Sequence, residues 1–296
     1  MRVFITGNRG QLGRALNAAL AGETVTGCDL PEVDITDRAA IRSAIAASAP
    51  DVVIHAAAWT DVDGCARDPE RAYRVNAMGT QNVVLACAEV GAALVYISTN
   101  EVFDGTATEP YREWDPVHPI NPYGRSKAAG EWLVSHLLTR FYIARTAWLY
   151  APGGRNFPHR IIHLADERGA LRVVADEVSN PTYAPDLAAA LAALIRTGAY
   201  GVYHLTNSGY CSRYEFARAI LRQTGREHIP VEPITLDQFQ RDSTPPRFAP
   251  LANTAAAALG ITLRPWEDAL AEFLHQCGYT ERVGYGHSLP DGGAIY

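Results

Sequence analysis

Tyr123 and Lys127 stand four residues apart in "NPYGRSKAAGEWL", a segment that Asn121-Pro122 opens as a helix. An i,i+4 pair lies on one helical face, so the ammonium can sit beside the phenol. A free tyrosine titrates near ~10, and a fixed positive charge close by favours phenolate and lowers that value. A tyrosine tuned in this way can exchange a proton with a carbonyl or an alcohol near neutral pH. Alone, the pattern equally describes a surface aromatic resting on a lysine stem. Upstream, however, "YISTNEVF" closes an apolar run with Ile97, Ser98 and Thr99, and either hydroxyl could hydrogen-bond the same substrate oxygen. Asn100 and Glu101 follow directly, placing an amide and a carboxylate on the floor of the same prospective pocket.

A second group of residues has the spacing of a nucleotide site. "VFITGNRGQLGRAL" sets Gly7, Gly10 and Gly13 after a strand and at the opening of a helix, where the backbone can turn tightly and approach a pyrophosphate on the positive helix end. The spacing is GxxGxxG, looser than GxGxxG, and a purely structural strand-to-helix turn has the same composition. Asp29 closes the next apolar run, about where an acidic group meets an adenosine ribose. Asp34 and Ile35 offer a carboxylate for an adenine amine and an apolar face for its ring, or else a helix-capping turn. Asp29 would repel a 2′-phosphate and Arg9 could attract one, so NADH and NADPH both stay open. In "HAAAWT" the small Ala56, Ala57 and Ala58 would let a ligand lie flat on a strand end, with Trp59 and Thr60 pointing towards the substrate space.

Stepping along the chain, apolar runs "RVFIT", "DVVIHAA", "ALVYIS" and "FYIART" alternate with helical spacing over 11–20, 37–48, 69–90 and 122–138. Strands apolar on both pleat faces suit a mostly parallel sheet covered by helices, a doubly wound α/β, Rossmann-like fold. Residues 1–150 form that nucleotide-binding domain, and the chain returns to it around 184–205 through an Ala-rich helix. Residues 151–183 and 206–277, broken by "SNPTYAP" and "STPPRFAPLAN", read as a smaller substrate-binding lobe. Residues 278–296, with neither period nor core content, read as a mobile tail.

Composition excludes other classes. A net charge of −6 with no long basic run argues against nucleic-acid binding and against a polybasic membrane patch. No stretch reaches the ~18 apolar residues of a membrane span. Five scattered cysteines without a CxxC pair read as reduced thiols of a cytoplasmic protein. His159 and His163 have helical i,i+4 spacing but no third ligand, so no metal is expected. No GxSxG marks a serine hydrolase.

With these pieces in order, the chain resembles the dTDP-4-dehydrorhamnose reductase family of the extended short-chain dehydrogenase/reductase superfamily. The matching segments include "ITGNRGQLG", "VYISTNEVFDG", "NPYGRSKAAGE", "ARTAWLY" and "SNPTYAPDLA"; they cover most of residues 1–190, and "PPRFAPLAN" with "LRPWEDAL" extends the likeness to about 275. The resemblance implies reduction, by NADPH or NADH, of the 4-keto group of a nucleotide-activated 6-deoxyhexose, dTDP-4-dehydro-L-rhamnose foremost. It implies Gly10, Gln11 and Leu12 at the pyrophosphate, Asp29, Asp34 and Ile35 at the adenosine, and Ala58, Trp59, Thr60 and Ile97 along the cofactor towards its nicotinamide end. Thr99 and Asn100 would bind the keto sugar and Tyr123 would donate the proton. Lys127 would hold the nicotinamide ribose, Trp148 would pack against the sugar, and Arg247 would reach the nucleotide phosphates. A homodimer is compatible with the resemblance.

The chain departs from the family at one place. The usual Ser-Thr-Asp-Tyr-Val-Phe has Asn100 and Glu101 in place of Asp and Tyr, and sugar-nucleotide 4,6-dehydratases, with Thr-Asp-Glu, resemble it here. Dehydration needs an acid for the departing hydroxyl, which an amide cannot supply. Reduction needs a held ketone, a phenol and a hydride. Reductase is therefore the leading expectation, with Glu101 as a substrate-hydroxyl acceptor or a solvent-facing residue. The alternatives are a dehydratase or epimerase using Glu101 with tightly bound NAD, and a non-catalytic nucleotide-binding subunit.

Overall fold

The structure, a computed structural model, describes residues 1–280. From residue 281 onward the expected tail lies outside the described residues.

The first half alternates strands and helices: β1 (Arg2–Thr6), α1 (Gln11–Ala19), β2 (Thr24–Cys28), α2 (Arg38–Ser48), β3 (Val52–His55), α3 (Val62–Arg67), α4 (Pro69–Tyr73), α5 (Gly79–Val90), β4 (Ala93–Thr99), α6 (Pro122–Leu137) and β5 (Phe141–Thr146). The remainder holds β6 (Leu149–Tyr150), α7 (Phe157–Arg168), β7 (Leu171–Val174), β8 (Val178–Ser179), β9 (Thr182–Tyr183), α8 (Ala184–Leu194), β10 (Gly201–His204), β11 (Cys211–Ser212), α9 (Arg213–Gln223), β12 (Val231–Ile234), α10 (Thr254–Ala258) and α11 (Trp266–Gln276).

Six strands form one sheet in the order β10-β5-β4-β3-β1-β2, every neighbouring pair parallel. Strand order reverses between β1 and β3, and a cleft at the carboxyl ends of strands on either side of such a switch is where this architecture binds ligands. The apolar runs are buried on both faces. On one, Val3, Ile5, Val52 and Val95 pack with Leu12 and Leu16 of α1 and Leu187 and Leu191 of α8. On the other, Phe4, Val53 and Leu94 pack with Ile41 and Ile45 of α2 and Val83 and Val84 of α5.

Local signals account for the helix starts that matter. Asp37 caps α2 by accepting from the Ala39 and Ala40 amides, and Asn121 caps α6 by accepting from Gly124, with Pro122 in the first turn. The segment expected to be one helix over 69–90 is interrupted: Arg74–Met78 winds as a single π-helical turn between α4 and α5, a feature that tends to mark functional sites.

The second lobe has its own core of Ile161, Ile162, Phe216, Ile220, Leu270 and Phe273 from α7, α9 and α11. The chain returns to the large sheet through α8, and a second time at Ala256, Ile261 and Leu263, which join the α1–α8 face. Tyr111, Ala249 and Leu251 pack with Val102 and Phe103, which ties the loop after β4 to the second lobe. Among the described residues no helix is long and apolar enough to cross a membrane.

Candidate active site

A cleft of about 440 Å³ opens at the carboxyl ends of β1, β3, β4 and β5. Its floor at the β1 end is the glycine turn. Gly7 adopts φ +71°, and a Cβ there would lie 2.8 Å from the Ala57 nitrogen; a Cβ on Gly13 would lie 2.2 Å from the Gly7 carbonyl oxygen. Only glycine permits this close packing of turn, helix and neighbouring strand. α1 then starts at Gly10 without any side chain capping its first amides and without an acidic residue in its first turn. Helix-start N–H groups that no side chain caps, at a positive helix end, fit the diphosphate of a dinucleotide. Gln11 and Leu12 line the same wall, Ala58 and Thr60 continue it from β3, and Ile97 continues it from β4.

The catalytic candidates converge from two elements. Thr99 ends β4, and its hydroxyl accepts from the Glu101 amide at 3.2 Å. Tyr123 and Lys127 enter from the first turns of α6 and line the same cleft. The helix start is fixed by Asn121, whose amide nitrogen also donates to the Glu101 carboxylate at 2.6 Å. Gly124 makes the approach of α6 to β4 feasible, since a Cβ there would meet the Glu101 carbonyl oxygen at 2.0 Å.

The electrostatics differ from the expectation of an acidified phenol. Burial, aided by the Glu101 charge, pushes the Tyr123 phenol above its ordinary value, while a hydrogen bond from Thr99 pulls weakly the other way. Lys127 is itself 3% exposed and lies 4.0 Å from the Tyr96 ring centroid. Burial lowers its pKa to about 7 although Glu131 draws it upward. Desolvation outweighs the mutual help of an i,i+4 pair.

Behind Lys127 lies a buried polar network. Glu131 accepts from Ser98 at 2.5 Å and is held by Arg145 through both carboxylate oxygens, at 2.9 and 2.7 Å. His55, between Thr6 and Thr80, is pushed down to about 3 by burial and by the nearby Lys127. The π turn points Asn76 inward, where it accepts from the Trp59 amide at 2.8 Å and donates to Ser126 at 3.0 Å. Asn76 thereby couples the end of β3 to the catalytic face of α6. Sequence reasoning missed it, because nothing in "RVNAMG" announces the extra residue in the turn.

Asn100 and Glu101 have separate fates. Asn100 is buried, and its amide nitrogen donates across the lobe boundary to Ser179 at 3.1 Å and to the Ala249 carbonyl at 3.3 Å. It serves as a tie between lobes, leaving only its carbonyl for the cleft. Glu101 lines the cleft, and burial raises its pKa to about 7 against the hydrogen bond from Asn121. Glu101 is half-buried and faces the cleft that Tyr123 also lines.

Trp148 lines the cleft with φ +43°, a strained conformation for a non-glycine residue. Arg213, unanticipated from sequence, stacks its guanidinium 3.6 Å from the Trp148 ring centroid and pairs with Glu177 at 3.0 Å. Arg155 joins Arg213 on the cleft's second-lobe side, giving that side two cations.

Several expected residues lie elsewhere. Arg247 is outside the cleft lining, paired with Asp176 and, at 2.7 Å, with Asp237; the arginines that line the cleft are Arg155 and Arg213. Ile35 is 7% exposed and packs beneath α5 against Gly79, so its apolar face meets the protein core. Trp59 packs under the Arg71 guanidinium at 4.5 Å, behind the wall. Asp29, by contrast, stands at the glycine turn, accepting from the Arg9 amide at 3.0 Å and from the Leu30 amide, and Asp34 accepts from Thr36 in the turn ahead of α2. Arg9 itself pairs with Glu32 at 2.9 Å. Among the described residues no cluster of three potential metal ligands occurs, and all five cysteines are free.

Residues 1–278 match the family described as RmlD substrate binding domain. The chain is 38% identical to spore coat polysaccharide biosynthesis protein SpsK of Bacillus subtilis, covering 93% of this chain and 97% of that protein. It is 40% identical to dTDP-4-dehydrorhamnose reductase of Mycolicibacterium smegmatis, over 92% of this chain and 84% of that protein. The crystal structure of dTDP-4-dehydrorhamnose reductase from Bacillus anthracis in complex with NADP superposes with a TM-score of 0.89 at 38% identity, over 93% of this chain and 99% of that one.

Proposed function

Because the chain belongs to the RmlD substrate binding domain family, we propose that it is a reductase that uses NADPH or NADH to convert a dTDP-linked 4-keto-6-deoxyhexose, dTDP-4-dehydro-L-rhamnose foremost, to the corresponding alcohol. The observation that carries the reading is one cleft lined by an uncapped glycine turn, the Thr99 hydroxyl, and Tyr123 with Lys127 on one face of α6.

The dinucleotide, when bound, supplies the hydride. The protein does the rest. The amides of the glycine turn and the start of α1 hold the diphosphate, and Lys127 is placed to hold ribose hydroxyls. Thr99 orients the ketone oxygen, and Tyr123 gives that oxygen a proton as negative charge develops on it. Arg213 and Arg155 set positive charge where the substrate's own diphosphate would lie, and Arg's planar fork suits phosphate. Trp148 presents an aromatic surface towards the sugar. Asn100 supplies no acid for elimination, which disfavours dehydration. Exposed Trp132 and Leu137 on α6, with exposed Tyr73 and Met78, support a homodimer as the working form.

The test is cofactor consumption over dTDP-, UDP- and GDP-linked 4-keto sugars. Activity is expected with the dTDP-linked 6-deoxy ketone, and Tyr123→Phe should slow it by about 10²–10⁴-fold. Turnover unchanged in that variant would remove Tyr123 from the chemistry.

A further inference from the structure

We propose that Glu101 is the charge gate of the catalytic phenol: its carboxyl must carry a proton for Tyr123 to give up its own. The inference rests on the reading that Tyr123 protonates a ketone oxygen, and it adds a residue that sets when it can do so.

The geometry places the two groups in one pocket. Glu101 follows Thr99 in the short helical turn Asn100–Val102, its amide bound to Thr99 and its carboxylate bound by Asn121, the residue that caps the helix bearing Tyr123. Both side chains line the cleft. Among the described residues no hydrogen bond other than that of Asn121 reaches this carboxylate, so one of its oxygens is left to the cleft. The charged groups facing it come from every element around it. Glu177, ahead of β8, repels it, while Arg213 of α9 and Arg241 attract it; Arg213 is paired with Glu177 and Arg241 with Asp63, at 3.0 Å in each case. The Cys65 thiol of α3 and the Tyr123 phenol of α6 both respond to its charge. Each of the two cations therefore has a carboxylate of its own, and neither offsets Glu101 in full. With burial added, the carboxyl changes charge near pH 7.

That charge matters because of what the reaction leaves behind. With NADPH bound, its hydride would pass to the carbonyl carbon and leave NADP⁺, the carbonyl electron pair would move to oxygen, the phenol O–H bond would break and its proton would close the new alcohol. Tyr123 is left as phenolate until solvent returns a proton. A phenolate forming in the same half-buried cleft as an ionised Glu101 is opposed by like-charge repulsion, which a neutral carboxyl removes.

The experiment is a single-turnover measurement of NADPH oxidation with the dTDP-linked keto sugar from about pH 5.5 to 8.5. The wild-type rate should fall on the order of tenfold as pH rises through neutrality, the size expected if ionised Glu101 disfavours phenolate by about one pH unit. Because Lys127 also changes charge near pH 7, Glu101→Gln should keep only the part of the fall that this lysine contributes, flattening the profile and outpacing the wild type at the alkaline end. Glu177→Gln, which removes a repelling neighbour, should move the fall to lower pH. A structural glutamate would instead change the rate by one factor at every pH. Persistence of the wild-type fall in Glu101→Gln, or no advantage at high pH, overturns the proposal; if that variant does not fold, an unmoved profile in Glu177→Gln overturns it. A wild-type protein inert towards every keto sugar defeats the reductase reading. Carbon-13 NMR of labelled glutamates then decides the inference alone, since a Glu101 midpoint at the ordinary value of about 4.3 would overturn it.

Discussion

Replacing Lys127 with methionine should make the ligand-free protein more stable at neutral pH while removing its activity, and the pH dependence of the gain identifies its cause. The amine is buried on the Tyr96 ring, and its pKa falls from 10.5 to about 7. That fall, at about 1.36 kcal/mol per pH unit, places a ceiling of roughly 5 kcal/mol on the penalty of holding the ammonium there. Between about pH 7 and 10.5 the unfolded chain binds a proton that the folded chain does not. Stability therefore rises with pH across that window; the penalty is complete below it and absent above it. Methionine has a similar length, no charge and a sulfur that tolerates an aromatic neighbour. Glu131 loses one attraction but keeps Arg145 and Ser98, so only part of the ceiling is recovered. The expected gain is about 1–3 kcal/mol at pH 6, shrinking towards zero near pH 10, read from urea unfolding at both pH values. NADPH oxidation should fall at least ~10²-fold. If Lys127→Met is instead destabilised at pH 6, the folded protein holds that lysine as a well-paired cation and the buried-amine argument fails.

Three further substitutions probe the supports of the site. Gly13→Ala drives a methyl into the Gly7 carbonyl and the Asn8 backbone; NADPH affinity, followed by fluorescence titration, should weaken at least ~10-fold, with about 1–3 kcal/mol of overpacking, and an unchanged affinity would separate the turn from the cofactor. Asn100→Asp restores the family's usual carboxylate but removes the donor to Ser179 and Ala249; it should destabilise by about 1–3 kcal/mol without yielding a dehydrated product by mass spectrometry, and the appearance of that product would revive the elimination chemistry. Glu131→Gln strips the carboxylate from Arg145, which is 4% exposed, and should cost about 3–5 kcal/mol in urea unfolding; a loss under ~1 kcal/mol would mean the pair is solvated in solution.

What the sequence made legible is what is local. Four apolar runs became the strands β1, β3, β4 and β5 because their pleats are buried on both faces, and the glycine turn was visible because backbone crowding at Gly7 and Gly13 is written in residue type. Tyr123 and Lys127 were legible because a helix converts a spacing of four into a shared face. The remainder depends on partners distant in sequence. Arg247 had the right chemistry for a phosphate, but Asp176 and Asp237 engage it, while Arg213 reaches the cleft only because α9 begins there. Ile35 looked like a ligand surface until α5 covered it at Gly79. Asn76 depends on a π turn, which no periodicity distinguishes from a regular helix over 69–90.

The inverted acidity of Tyr123 illustrates the same division and bears on the direction of the chemistry. Spacing alone puts a cation near a phenol and predicts an acidified tyrosine, a state suited to taking a proton from an alcohol. Packing of α6 against β4 buries Lys127 and half-buries Tyr123, and loss of solvent disfavours whichever form is charged, so the tyrosine keeps its proton and the lysine loses affinity for one. A reductase must begin its cycle with a proton on the donor oxygen, and the raised pKa of Tyr123 keeps it in that form. The difficulty is moved to the moment of transfer, when phenolate must form in a dry pocket. Thr99 beside the phenol oxygen, and the charge state of Glu101, are the features of this chain that act at that moment.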